Sequence, residues 1–201
     1  MEKLKISEIF YSLQGEGARK GVPTIFIRLA GCKAKNACFA AGIRCDTEFN
    51  SGKEYSSEDL IKWIEENAKG CLEITWTGGE PLDQLKQDHV DYFKGKGYYQ
   101  AIETSGLHPC PEGIDFICVS PKVADHVVKK NFPHGVTELR YVRHKGQEIP
   151  APEIKAEYYY ISPHSDGWEI NSENLKHCIN LCLKHPTWRM SMQSHKLWGV
   201  L

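Results

Sequence analysis

Three absences limit what this chain of 201 residues can be. It has no apolar run near the length of about 20 residues that a membrane-spanning helix needs, so we expect no membrane partner. It has no excess of either charge, since 25 Lys and Arg residues stand against 26 Asp and Glu residues. This balance argues against nucleic acid as a partner. The first ten residues, MEKLKISEIF, lack the apolar segment of a secretory signal peptide, so we expect a cytoplasmic protein.

A fourth cysteine is missing from the stretch in which the thiols are most concentrated. Cys32, Cys38 and Cys45 lie between Leu29 and Asn50, separated by five and then six residues. In the cytoplasm such a group indicates a metal or iron–sulfur site rather than disulfides. A structural zinc site requires four protein ligands, whereas a [4Fe–4S] cluster on three cysteines leaves one iron open. The pattern favours the cluster, and a zinc-stabilised binding module without catalysis is the alternative.

Strand-like and helix-like segments alternate along the chain, which predicts an α/β fold with mostly parallel strands. One strand leads directly into the cysteine loop, others end at GGEP, ETSG and VSPK, and TWRMSMQSH is the last. In parallel sheets the carboxyl ends of the strands carry the site. The segments 106–115 and 122–137 are too short or too broken for full crossover helices, so we expect a truncated, open (β/α) barrel. Residues 1–201 are expected to form one domain, with the loop 31–50 inserted after an early strand.

The cysteine loop after one strand and GGEP at residues 78–81 after the next resemble the radical S-adenosylmethionine (SAM) enzymes. The cysteine spacing here is longer than is typical of that superfamily. The resemblance implies a radical SAM partial barrel, with a [4Fe–4S] cluster on Cys32, Cys38 and Cys45. It also implies one-electron cleavage of SAM to a 5′-deoxyadenosyl radical.

Four further stretches narrow the resemblance: FYSLQGEG, TIFIRLAGC, CDTEF and, near the carboxyl terminus, QSHKLWG. Together they resemble the 7-carboxy-7-deazaguanine synthase family, ring-contracting lyases of queuosine and 7-deazapurine biosynthesis. The implied reaction converts 6-carboxy-5,6,7,8-tetrahydropterin to 7-carboxy-7-deazaguanine and ammonia. The implied partners are Mg²⁺, an electron donor such as flavodoxin or ferredoxin, and a second copy of the chain in a homodimer. An activase that makes a glycyl radical on another protein is the alternative, because such activases share the cluster and GGEP.

The resemblance also implies roles for individual residues. Gln14 and Glu16 would hydrogen bond the pterin edge, and Arg28 would pair with the substrate carboxylate through its planar fork. His195 and the terminal carboxylate of Leu201 would contact substrate as well.

The remaining implied residues serve the cofactors. Thr47 would coordinate Mg²⁺, which prefers oxygen ligands. Residues at the strand ends and near the carboxyl terminus would bind SAM: Gly78, Gly79, Glu80, Thr104, Ser105, Ser120, Lys122 and Gln193. Glycines at such a strand end allow the backbone to approach a ligand closely.

Overall fold

The computed structural model describes residues 1–40, 49–165 and 167–200. Within these ranges the strands are β1 (Leu4–Leu13), β2 (Pro23–Leu29), β3 (Lys53–Tyr55), β4 (Glu73–Gly78), β5 (Tyr99–Thr104), β6 (Phe116–Val119), β7 (Val136–Arg143), β8 (Ala156–Pro163) and β9 (Trp188–Met190). The helices are α1 (Lys35–Ala40), α2 (Ser57–Asn67), α3 (Gln87–Gly95), α4 (Asp125–Asn131), α5 (Ser172–Lys184) and α6 (Ser194–Trp198). None of these helices is long and apolar enough to cross a membrane.

The described strands form one sheet in the order β3-β1-β2-β4-β5-β6-β7-β8-β9. Pairing is parallel from β2 through β9, and β1 is antiparallel to both β2 and β3. Within the described residues β3 and β9 are the two edges of this order, so the sheet is open rather than a closed barrel. The expected α/β fold with mostly parallel strands in an open barrel is confirmed.

Alternation along the strands separates an apolar face from a polar face. Trp76 of β4 is fully buried in the main apolar core, where its ring meets Phe93 of α3 edge-on at 5.2 Å. Its indole N–H donates to Gln100 at 3.0 Å, so this polar atom is satisfied inside the core. The next residue of β4, Thr77, points to the opposite face and bonds Glu103 of β5. The face of the sheet that carries Thr77 is therefore the polar face.

The pattern TWRMSMQSH predicts a strand as far as His195, and this expectation is wrong. β9 ends at Met190, and His195 lies on the short helix α6. The chain leaves the sheet because Ser194 N–H donates to the carbonyl of Gly15 at 3.0 Å. Gly199, with φ +68°, then ends the helix in the left-handed conformation that glycine adopts readily. These tertiary contacts override the local alternation.

Candidate functional site

A cleft of about 480 Å³ lies on the polar face of the sheet. Gln14, Glu16, Arg28 and His195, all implied for substrate, line it. Gln193, implied for SAM, lines this cleft too, and its Oε1 accepts from Lys196 Nζ at 2.6 Å. The cleft also contains side chains that sequence reasoning missed: Thr77, Glu103, Trp168 and Lys196.

Arg140 of β7 is a central charge of the polar face, and its side chain is 9% exposed. Its Nε donates to Glu138 at 2.8 Å, Nη1 to Glu16 at 2.9 Å and Nη2 to Glu103 at 3.2 Å. Burial by itself would lower the pKa of the guanidinium, but Cys118 and the three glutamates raise that pKa well above its usual range. Removing one partner of a buried ion pair typically costs about 3–5 kcal/mol, so these contacts fix the side chains firmly.

Gln14 and Glu103 extend this network into the cleft. Gln14 Nε2 donates to Glu103 Oε1 at 3.1 Å, and Thr77 Oγ1 donates to Glu103 Oε2 at 3.1 Å. The backbone N–H of Glu16 donates to Gln14 Oε1 at 3.1 Å. A carboxylate has about four acceptor positions, and Glu103 accepts from Gln14, Thr77 and Arg140. The cleft therefore offers an array of acceptors whose positions are set by neighbouring strands.

Cationic side chains also line the cleft. Arg28 of β2 donates to Glu8 at 2.8 Å, and its guanidinium lies over the Phe10 ring at 4.8 Å. These two contacts hold the side chain while it remains partly exposed to the cleft. With Lys196 in the same lining, the cleft also suits an anionic group.

His195 packs directly against the QGEG turn. A Cβ placed on Gly15 would lie 2.1 Å from His195 Nδ1, so this turn position has no room for a larger residue. Leu201, whose carboxylate is implied to contact substrate, lies outside the described residues.

The residues implied for SAM at three strand ends are joined to one another. Glu80 is fully buried and accepts from Thr104 Oγ1 at 2.6 Å, from Ser105 N–H at 2.9 Å and from the Ser105 hydroxyl. Ser120 N–H donates to the carbonyl of Thr104 at 2.8 Å, and Lys122 Nζ donates to Ser120 Oγ at 2.8 Å. The Glu80 carboxylate thus fixes the end of β5 against the end of β4.

The cysteine loop lies against the GGEP strand end. Glu80 N–H donates to the carbonyl of Gly31 at 3.1 Å. A Cβ on Gly79 would lie 1.8 Å from the Gly31 oxygen and 3.1 Å from the Cβ of Cys32. Only glycine fits at position 79 without moving the backbone that carries the first cysteine.

The thiols of this loop suit an iron–sulfur cluster. Burial raises the pKa of Cys32 to about 11, and Glu80 and Cys38 add to the rise. Such a thiol loses its proton when it binds a metal cation. Among residues 1–40, 49–165 and 167–200, no three His, Cys, Asp or Glu side chains are grouped to hold a metal ion. Cys45 and Thr47 lie outside these ranges, so the structure describes two of the three cysteines that are expected to hold a cluster, Cys32 and Cys38.

Comparison with known proteins assigns the family. No protein-family model matches the chain. A 7-carboxy-7-deazaguanine synthase from Bacteroides thetaiotaomicron is 34% identical over 199 residues, which cover 98% of each chain. One from Burkholderia multivorans is 38% identical over 212 aligned positions, which cover 97% of this chain and 98% of the other. The chain belongs to the 7-carboxy-7-deazaguanine synthase family.

A solved structure agrees with the fold. The crystal structure of QueE from Escherichia coli matches with a TM-score of 0.70 and covers 94% of this chain and 93% of its own. Sequence identity is 23%, so this likeness concerns the fold alone, an open radical SAM partial barrel. Members of the 7-carboxy-7-deazaguanine synthase family are radical SAM enzymes that need a [4Fe–4S] cluster and SAM.

Sequence reasoning missed Arg140, Glu138 and Glu103, although the pattern holds a signal for them. TELRYVR places two opposite charges two positions apart in a strand, so both face the same side of the sheet. Glu103 stands directly before the Thr104 that closes β5. Charged residues on a buried strand require partners, and those partners mark the polar face.

We expect Gly79→Ala to lose most of its iron after anaerobic reconstitution, measured as iron and sulfide per chain. The added Cβ meets the Gly31 oxygen, so the loop that carries Cys32 must move away. Gly95→Ala is the matched control, because a Cβ at Gly95 meets nothing within 4 Å. Full iron content in Gly79→Ala would contradict the packing of the loop on the GGEP end.

Proposed function

We propose that the chain converts 6-carboxy-5,6,7,8-tetrahydropterin to 7-carboxy-7-deazaguanine and ammonia, in queuosine and 7-deazapurine biosynthesis. The observation that carries the proposal is one cleft that combines fixed acceptors with Arg28, beside the cysteine loop and the GGEP strand end. Membership of the 7-carboxy-7-deazaguanine synthase family supports the same reaction.

The two ends of the substrate match the two kinds of side chain in the cleft lining, acceptors and cations. The aminopyrimidine edge of a pterin carries N–H donors, which suit the acceptors of Gln14, Glu16 and Glu103. An analogue without these donors would lose the hydrogen bonds along this edge and bind more weakly. The 6-carboxylate suits the planar fork of Arg28, which remains partly exposed beside its partner Glu8.

The cofactors are assigned to the neighbouring edge of the sheet. When bound, the cluster and SAM supply a 5′-deoxyadenosyl radical that removes hydrogen from C6 of the substrate. We assign the cluster to Cys32, Cys38 and Cys45. We assign SAM to Gly78, Gly79, Glu80, Thr104, Ser105, Ser120 and Lys122, with Gln193 reaching it from the cleft. In this arrangement the Glu80 carboxylate holds the ends of β4 and β5 at a constant separation.

The remaining assignments complete the proposal. Thr47 is assigned to Mg²⁺, and His195 and the Leu201 carboxylate to substrate. We further propose that residues 1–201 form one cytoplasmic domain that acts as a homodimer. The electron donor is proposed to be a small acidic protein such as flavodoxin or ferredoxin. The exposed Lys33, which directly follows the first proposed cluster ligand and pairs with Asp83 at 3.9 Å, supports this as a cation at the surface of the cysteine loop.

Anaerobic incubation of the reconstituted protein with dithionite, SAM, Mg²⁺ and 6-carboxytetrahydropterin tests the proposed function. We expect 7-carboxy-7-deazaguanine and 5′-deoxyadenosine, both identified by mass spectrometry. Omission of the pterin is the control for uncoupled SAM cleavage. A full cluster that cleaves SAM without forming the deazapurine would refute the substrate assignment.

Replacement of each loop cysteine by Ala tests the ligand assignment. We expect Cys32→Ala, Cys38→Ala and Cys45→Ala each to abolish cluster assembly, measured by iron content and the visible absorption of the cluster. Cys71→Ala, a free thiol outside the loop, is the matched control and should retain iron. Near-normal iron in any one loop variant would remove that cysteine from the ligand set.

Thr47→Ala tests the magnesium assignment. We expect the cluster to remain and the stimulation of product formation by Mg²⁺ to weaken, because one oxygen ligand is lost. The measurement is the initial rate against Mg²⁺ concentration, with iron content as the control. A wild-type response to Mg²⁺ would reject this role.

A further inference from the structure

We propose that Arg140 is a positioning residue for substrate recognition, which supplies the cation that the carboxylates of Glu16 and Glu103 share and aligns them as a pair of acceptors. Arg140 reaches the substrate through these two side chains and not by direct contact. The inference rests on the proposed function, because the pterin supplies the donor edge that the acceptors face.

The Arg140 guanidinium donates hydrogen bonds to side chains from three separate segments. Nη1 reaches Glu16 in the turn after β1, Nη2 reaches Glu103 at the end of β5, and Nε reaches Glu138 on its own strand. A guanidinium is planar, so its donors have fixed directions. These donors therefore fix the position of the Glu16 carboxylate relative to the Glu103 carboxylate, although the two residues are 87 positions apart in the sequence.

The Arg140 cation matters for the Glu16–Glu103 pair because several acidic side chains surround it. Glu16, Glu103 and Glu138 share the Arg140 guanidinium, and the fully buried Cys118 thiol also contacts it at 3.1 Å. Among the described residues, the other charged or titratable groups in the cleft lining are Arg28, His195 and Lys196, and Arg19 lines the small cavity that Glu16, Glu103, Glu138 and Arg140 also line. Of these, Arg28 is paired with Glu8, and Lys196 donates to Gln193.

Loss of the guanidinium would change what the cleft presents. Carboxylates that share a site without a cation favour uptake of a proton. A protonated carboxyl presents an O–H donor where the pterin edge also presents a donor. Substrate binding would then weaken as the pH falls, and the weakening would begin at a higher pH than in the wild type.

The fold has an anchor for the QGEG turn besides Arg140. Gly17 N–H donates to Ser191 Oγ at 3.0 Å, and Ser194 N–H donates to the carbonyl of Gly15 at 3.0 Å. These bonds do not involve the guanidinium. A variant at Arg140 therefore keeps backbone contacts that hold the turn in place.

Binding of 6-carboxytetrahydropterin, measured by anaerobic calorimetry without reductant across mildly acidic to mildly alkaline pH, tests the proposal. We expect Arg140→Gln to bind roughly tenfold more weakly or worse. Its loss of binding on the acid side should begin about one pH unit or more above that of the wild type. Arg140→Lys should restore the pH profile, because the charge is kept, but not the full affinity, because the fork is lost.

Arg19→Gln is the matched control. Arg19 is also 9% exposed, and its guanidinium donates to Glu73 at 2.6 Å and to Thr75 at 3.1 Å, so its ion pair is with a carboxylate other than those that Arg140 holds. This variant should lower the thermal unfolding midpoint and leave the pH profile of binding unchanged. If the pH profile of binding shifted as much in Arg19→Gln as in Arg140→Gln, the shift would follow from the loss of any buried cation. That result would overturn the proposal.

The remaining outcomes are also decisive. A wild-type pH profile in Arg140→Gln overturns the inference while leaving the proposed function standing. If Arg140→Gln does not fold, Arg140→Lys carries the test, and a shifted pH profile in that variant contradicts a role for charge. Failure of the wild-type protein to bind the pterin would overturn the proposed function and this inference with it.

Discussion

Parallel pairing in register is the constraint on which the site depends. Arg28 of β2 lies directly opposite Thr77 of β4, and Glu103 of β5 lies opposite Cys118 of β6. Cys118 in turn lies opposite Glu138 of β7. Because these strands run in one direction, their carboxyl ends meet at one edge, and segments distant in sequence supply neighbouring side chains. A shift of one residue in any strand would turn its polar side chains into the apolar core.

The two faces of the sheet have different roles: the apolar face stabilises the fold, and the polar face holds the cleft. Buried ion pairs are weak evidence for stability, because desolvation offsets much of their attraction. The apolar face, where Trp76, Phe93 and Ile102 are fully buried, supplies the hydrophobic contribution. This burial allows the polar face to hold Arg140 and its carboxylates at fixed positions. The cleft can therefore accept hydrogen bonds from the N–H groups of the substrate without rearranging when the substrate binds.

The sequence predicted the locations of motifs better than the contacts between them. GGEP and ETSG could be placed at strand ends because local alternation stops there, but the bonds from Thr104 and Ser105 to Glu80 depend on strand order. The role of Arg140 could not be predicted from the sequence, because its partners Glu16 and Glu103 are remote from it along the chain. His195 was expected on a strand, and contacts with Gly15 place it on a helix instead.

A crystal structure of the anaerobically reconstituted protein with SAM and 6-carboxytetrahydropterin would show where both molecules bind. We expect the aminopyrimidine edge of the pterin on Glu16 and Glu103, and its carboxylate at Arg28. We expect SAM at the strand ends beyond Thr77, next to the cysteine loop. Pterin bound elsewhere, such as the hollow of about 370 Å³ beside Lys33 and His108, would contradict this expectation.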